Sequence, residues 1–225
     1  MFERWRYGGI LGEAFKLFKD MLRLTGEMFS RIQPLFTAET EAEKVLAELE
    51  ALETESDKLH TSIRRKIVEY LSLVPGGDVI AALLLFAATQ DAERLGDLAV
   101  NIAEAMELMH DKGRESSYME EIKEFDRRLK RMFDLTYRAF CEQDEEAARE
   151  AVLMRAPIAA ACNTLLARIV TDESITPARA VCLTLLERYF KRAAAHLYHI
   201  AIVVADPRSF IEHTKTPQPP QQKNS

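Results

Sequence analysis

The sequence predicts an all-α protein of six long antiparallel helices, arranged as two tandem three-helix bundles. Three observations carry this. Apolar residues recur at helical spacing through six extended segments. Breakers are few and fall between those segments. The 225 residues include only 8 Gly and 8 Pro, with 48% hydrophobic and 29% charged side chains, a balance that suits amphipathic helices better than a turn-rich β fold.

The first helix is expected over residues 9–35, with Ile10, Phe15, Phe18, Met21, Leu22, Met28, Phe29 and Ile32 on its apolar face. An aromatic and basic lead-in (Phe2, Arg4, Trp5, Arg6, Tyr7) precedes it. Thr37 or Thr40 can cap the second helix, residues 41–73, whose near-heptad stripe is Val45, Leu49, Leu52, Leu59, Ile63, Ile67 and Leu71. Pro75-Gly76-Gly77 ends it, and Asp78 can cap the third helix, which Gly113 closes. Ser116 or Ser117 can cap the fourth helix, residues 118–141. Gln143-Asp144 opens the fifth, which runs to about residue 170 with Pro157 disturbing its interior. Thr176-Pro177 is a cap with Pro at the first helical position, and Asp206-Pro207 stops the sixth helix. Two successive sets of three long helices suggest an internal duplication. The expected organisation is a first repeat over residues 1–113, a second over 114–206, and a disordered Pro- and Gln-rich tail over 207–225.

A formal charge of −6 argues against nucleic acid as a partner. Cys141, Cys162 and Cys182 are odd in number and have no CxxC spacing, which points to thiols in a reducing compartment. The N-terminus does not resemble a signal peptide, and the apolar runs 79–88 and 200–205 are too short to span a bilayer. The expected location is cytoplasmic, with a membrane reached only through a partner.

The most informative stretch is Asp91 to Glu104 in the third helix. Glu93, Asp97 and Asn101 are spaced by four, with Glu104 three further on, so they stack along one side of the helix. Gly96 costs about 1 kcal/mol relative to Ala in a helix interior. A like-charged pair and a glycine in one turn point to a cation on the carboxylates or to a close approach at the glycine. The second helix has its own pair, Glu53 and Asp57. Across a hairpin centred near residue 76, these fall level with Glu93 and Asp97. Four carboxylates at one height suit a hard divalent or trivalent cation such as iron, manganese, magnesium or calcium. With 36 acidic residues in the chain, solvated acid pairs neutralised by Lys58 or Arg94 are the simpler alternative.

Other patterns carry less. Asp57-xx-His60 and Glu107-xx-His110 cannot form one di-iron site, because Glu107 lies roughly 15 Å along the helix from Asp97 at 1.5 Å per residue. His196 and His199, three apart, could bind a soft metal, but packing is the blander explanation. The charged run 120–131 reads as a solvated helix face. There is no Gly-rich phosphate loop, dinucleotide fingerprint or nucleophile triad pattern, so a non-enzymatic role is expected.

The segment Glu93-Arg-Leu-Gly-Asp-Leu-Ala-Val-Asn-Ile-Ala-Glu104 resembles the ERIGDHAxNIAE signature of the PhoU family, and Glu53-xxx-Asp57 resembles its companion E-xxx-D. The resemblance implies two three-helix bundles and, in several members, iron or zinc clusters on these motifs. It also implies a role in phosphate signalling between an ABC phosphate transporter and a sensor kinase. Other PhoU-like domains accompany secondary phosphate transporters. Carried onto this chain, the metal ligands are Glu53, Asp57, Glu93 and Asp97, holding iron, zinc, manganese or magnesium.

The second copy departs from the pattern. Lys191 stands where the motif has Glu, Ala195 where it has Asp, and His199 where it has Asn, while residues 154–161 offer no acid. Lys191 opposes a cation there. The expectation is therefore a divergent member with one acidic cluster. Its partner would be a phosphate transporter or its sensor kinase, with a homodimer possible. The alternatives are a metal-free helical adaptor or an accessory protein of another ion transporter; a metallo-enzyme is weakest.

Overall fold

A computed structural model describes residues 9–36, 42–109 and 116–207. The aromatic lead-in, the caps at Thr37 and Thr40, His110, Gly113 and the tail beyond Pro207 lie outside these residues. Six α-helices follow one another: α1 Gly9–Arg31, α2 Ala42–Leu73, α3 Val79–Leu108, α4 Ser117–Tyr137, α5 Glu145–Thr171 and α6 Pro177–Ala205. A 3₁₀ turn, Gln33–Phe36, follows α1, and a π-helical segment, Arg138–Glu142, extends α4. No strand occurs among the described residues.

The helix starts follow from local side chains. Asp78 accepts from the Ala81 N–H and Asp144 from the Ala147 N–H, each at 2.9 Å. Ser116 accepts from the Met119 N–H, and Thr176 from the Arg179 N–H with Pro177 at the first position. Each satisfies one orphan donor of its first turn. The π segment closes at Gln143, in a left-handed conformation with φ 60°. Pro157 does not break α5, which runs unbroken past it. Leu153, whose carbonyl loses its partner to the proline, is exposed, so water can satisfy that oxygen.

α1, α2 and α3 pack as one three-helix bundle and α4, α5 and α6 as another. The α3–α6 contact is about as extensive as the hairpin contacts within each bundle, and α1 also touches α4. A single apolar core runs through both. Aromatic rings bridge the halves: Phe15 and Phe18 meet Phe140 at 5.3 and 4.5 Å between centroids, Phe29 meets Phe133 at 4.9 Å, and Phe36 meets Phe190 at 6.0 Å. Lys19 also donates to the Cys141 carbonyl, at 2.9 Å.

By length and composition α5 is long and apolar enough to cross a membrane. The run-based expectation missed this because Arg155, Asn163 and Arg168 interrupt every continuous apolar run in it. In the fold, α5 packs along α6 and α4.

Candidate metal-binding faces of the third helix

α3 is apolar almost all round because it contacts α1, α2 and α6. Its polar residues therefore stand out by direction. Glu93, Asp97 and Asn101 are half-buried beside a core row of Ala92, Leu95, Gly96, Leu98, Ala99 and Ile102. On α2, Glu53 is half-buried, Ser56 buried and Asp57 exposed. Burial pushes the Glu53 carboxyl above the usual carboxylate range, and the negative charges of Asp97, Asp57, Glu50 and Glu104 push it further. These acids lie close enough to Glu53 for their charge to act on it. Glu53, Asp57 and Asp97 thus share one electrostatic neighbourhood across the α2–α3 hairpin, with Glu104 at its edge.

Glu93 is engaged differently. Arg94 lies 3.4 Å from Glu93 and 3.1 Å from Asp97, so it neutralises part of the set from the same helix. Arg94 is more than half exposed, so these pairs are weak and can open. Asn101 turns back to the Asp97 carbonyl at 2.6 Å. Glu53, Asp57, Glu93 and Asp97 offer only oxygen donors, the type that suits a hard cation, but among the described residues they do not form a group of ligand atoms within 4.8 Å of one another.

Gly96 is buried, but it does not mark an obligatory close approach. A Cβ there would meet the Met28 sulfur at 3.6 Å and the Ser56 hydroxyl at 3.9 Å, which is ordinary contact.

The opposite side of α3 holds a cluster that sequence reasoning did not assemble. Asp91 Oδ1 lies 2.8 Å from His196 Nδ1 and 3.3 Å from His199 Nδ1, both on α6. The two rings stand edge to face, 6.2 Å apart. Burial would raise the Asp91 carboxyl, but hydrogen bonds from the two imidazoles outweigh it and hold it below the usual range. Among the described residues, these three offer ligand atoms that all lie within 4.8 Å of one another. The His-xx-His spacing was visible in the sequence. Its partner was not, because Asp91 is 105 residues from His196.

Lys191 donates to Asn163 Oδ1 at 2.5 Å, and Glu187 is buried on α6. Cys141, Cys162 and Cys182 are thiols. Burial pushes Cys141 up to about 11 and Cys162 up to about 12, which disfavours the thiolate at both.

Residues 18–106 match the family model of the PhoU domain, a span that holds Glu53, Asp57, Glu93 and Asp97 and ends before α4. No curated protein matches the chain. PhoU from Pseudomonas aeruginosa has a similar structure, with a TM-score of 0.79 at 16% identity, covering 91% of this chain and 98% of that one. The phosphate transport system regulatory protein PhoU from Streptococcus pneumoniae gives 0.75 at 16% identity, covering 88% and 95%. Residues 18–106, less than half of the chain, match the PhoU domain, and the six-helix fold as a whole is similar to that of the two solved PhoU structures.

Proposed function

We propose that this chain is a cytoplasmic, non-enzymatic regulator of phosphate transport that docks on a phosphate transporter or its sensor kinase. The observation that carries this reading is the PhoU-domain match over residues 18–106. The solved relative from Streptococcus pneumoniae is described as a phosphate transport system regulatory protein, which supports the same direction.

A docking role needs a surface, and the tip of the α2–α3 hairpin offers one. Leu71, Leu73, Val79, Ile80 and Leu83 flank the Pro75-Gly76-Gly77 turn and are all exposed, Leu73 at 65%. Apolar side chains gathered at one exposed end suit a protein partner. In this reading the first unit, residues 1–113, carries recognition and the metal face, while the second, 114–206, braces it through α6. Glu53, Asp57, Glu93 and Asp97 would hold iron, manganese, zinc or magnesium. The ion would neutralise the carboxylates and fix the α2–α3 hairpin.

One observation favours the metal-free adaptor as a second reading. Arg94 already supplies positive charge to Glu93 and Asp97.

Co-purification tests the docking. The tagged full chain, expressed in its own cells, is recovered from solubilised membranes at high and low phosphate. The phosphate transporter or its kinase is expected with the wild type and lost with Leu73→Asp plus Ile80→Asp. Recovery of neither protein, with the wild-type chain folded, would overturn the proposal.

A further inference from the structure

We propose that Asp91, His196 and His199 form a second metal site, of mixed nitrogen and oxygen donors, that ties α3 to α6 and so joins the two bundles. It suits a borderline ion of the zinc(II) class. It is separate from the all-carboxylate face and does not depend on the phosphate reading.

The geometry is close to what such an ion needs. A tetrahedral zinc with bonds of about 2.0–2.1 Å sets its ligand atoms roughly 3.3 Å apart. The two imidazole nitrogens lie 2.8 and 3.3 Å from the same Asp91 oxygen, and all three ligand atoms fall within 4.8 Å. Small side-chain rotations therefore suffice. The two histidines are three apart on α6, so one helical face presents both rings. With no metal, each Nδ1 meets Asp91 as a hydrogen-bonded pair. A metal ion would take the place of the Nδ1 protons, each neutral ring then carrying its proton on Nε2 with no net change in its charge.

Donor chemistry sets the ion. Imidazole favours zinc, cobalt, nickel and copper over magnesium or calcium, whereas the Glu53 face, all oxygen, favours the harder ions. The two sides of α3 thus select different metals. Access also fits. Asp91 is 16% exposed and His196 18%, while His199 at 41% opens the cluster to water. Three protein ligands leave one position for water or a small anion, the arrangement of an open zinc site.

Cobalt(II) provides the test. The full chain is stripped with chelator, titrated with cobalt near neutral pH, and followed by visible absorption. One equivalent should give the intense bands of a low-coordinate cobalt site, and zinc should abolish them. His199→Gln and His196→Gln should each remove the bands, with helicity unchanged by circular dichroism. Glu53→Gln plus Asp97→Asn should keep them. In the unmodified chain, zinc should shift the ring resonances of two histidines and raise the melting temperature by several degrees. No intense bands and no histidine shifts in the wild type would overturn the proposal. So would bands that persist in both histidine variants. In either case the cluster is a hydrogen-bonded lock only.

Discussion

Glu187 offers a measurable consequence of how the second bundle is built. It sits on α6, 0% exposed, and neither carboxylate oxygen has a hydrogen-bond partner. Its nearest positive charges, Lys191 and Arg188, act only through space, and Lys191 is occupied with Asn163. Burial accordingly holds the carboxyl above the usual range, against the pull of those two cations. A buried polar group left without a partner costs about 1–3 kcal/mol. Methionine has a similar length and no such requirement. Glu187→Met should therefore stabilise the chain by about 1–3 kcal/mol at neutral pH. At roughly 2–4 °C per kcal/mol for a protein of this size, the melting temperature should rise by about 2–12 °C.

The pH dependence fixes the sign. The folded state holds this proton more tightly than the unfolded state does. Stability from that difference is complete below the unfolded carboxyl value of about 4.3, and is lost as pH rises through the folded value. The advantage of Glu187→Met should thus shrink toward acid and widen toward neutrality. Urea denaturation followed by circular dichroism across that range is the assay. A destabilised variant, or a gap independent of pH, would refute the reasoning and imply that Glu187 has a partner.

Three further outcomes follow from the first bundle and its junction with the second. Gly96→Ala should stabilise by about 0.5–1 kcal/mol, because its methyl meets only ordinary contacts at 3.6–3.9 Å; a loss in thermal denaturation would show that the backbone there needs glycine. In metal-free protein Glu53→Gln should gain a few tenths of a kcal/mol by relieving repulsion from Asp97 and Asp57. The same change should lower the iron or manganese content found by elemental analysis of metal-replete protein, and unchanged content would remove Glu53 from the site. Asp91→Asn should cost about 1–2 kcal/mol by weakening the charge-assisted bonds to His196 and His199, read as a lower urea midpoint.

Local chemistry explains what was legible in the sequence. Asp78, Ser116, Asp144 and Thr176 cap the helices whose starts they marked, because capping depends on three or four adjacent residues. The Pro75-Gly76-Gly77 turn makes α2 and α3 a hairpin, and the charges of Asp57 and Asp97 act on Glu53 across it. The Arg94 pairs were visible as a neutralising alternative but not as geometry. What was not legible depends on long-range contact. Asp91 meets His196 and His199 only because the bundles pack through α3 and α6. Asp126 and Glu187 are buried carboxylates in positions that a charge-outside pattern assigns to solvent. The π segment Arg138–Glu142 uses residues equally at home in an α-helix, and only the closing Gln143 at φ 60° marks it.

Phosphate uptake tests the central claim most directly. Cells of the source organism with this gene deleted are compared with wild type, using radiolabelled phosphate at scarce and ample external concentrations. The account predicts that deletion abolishes the fall in uptake at ample phosphate. The intact gene should restore that fall, and the Leu73→Asp plus Ile80→Asp form should not. Uptake that matches wild type at both concentrations after deletion would contradict it.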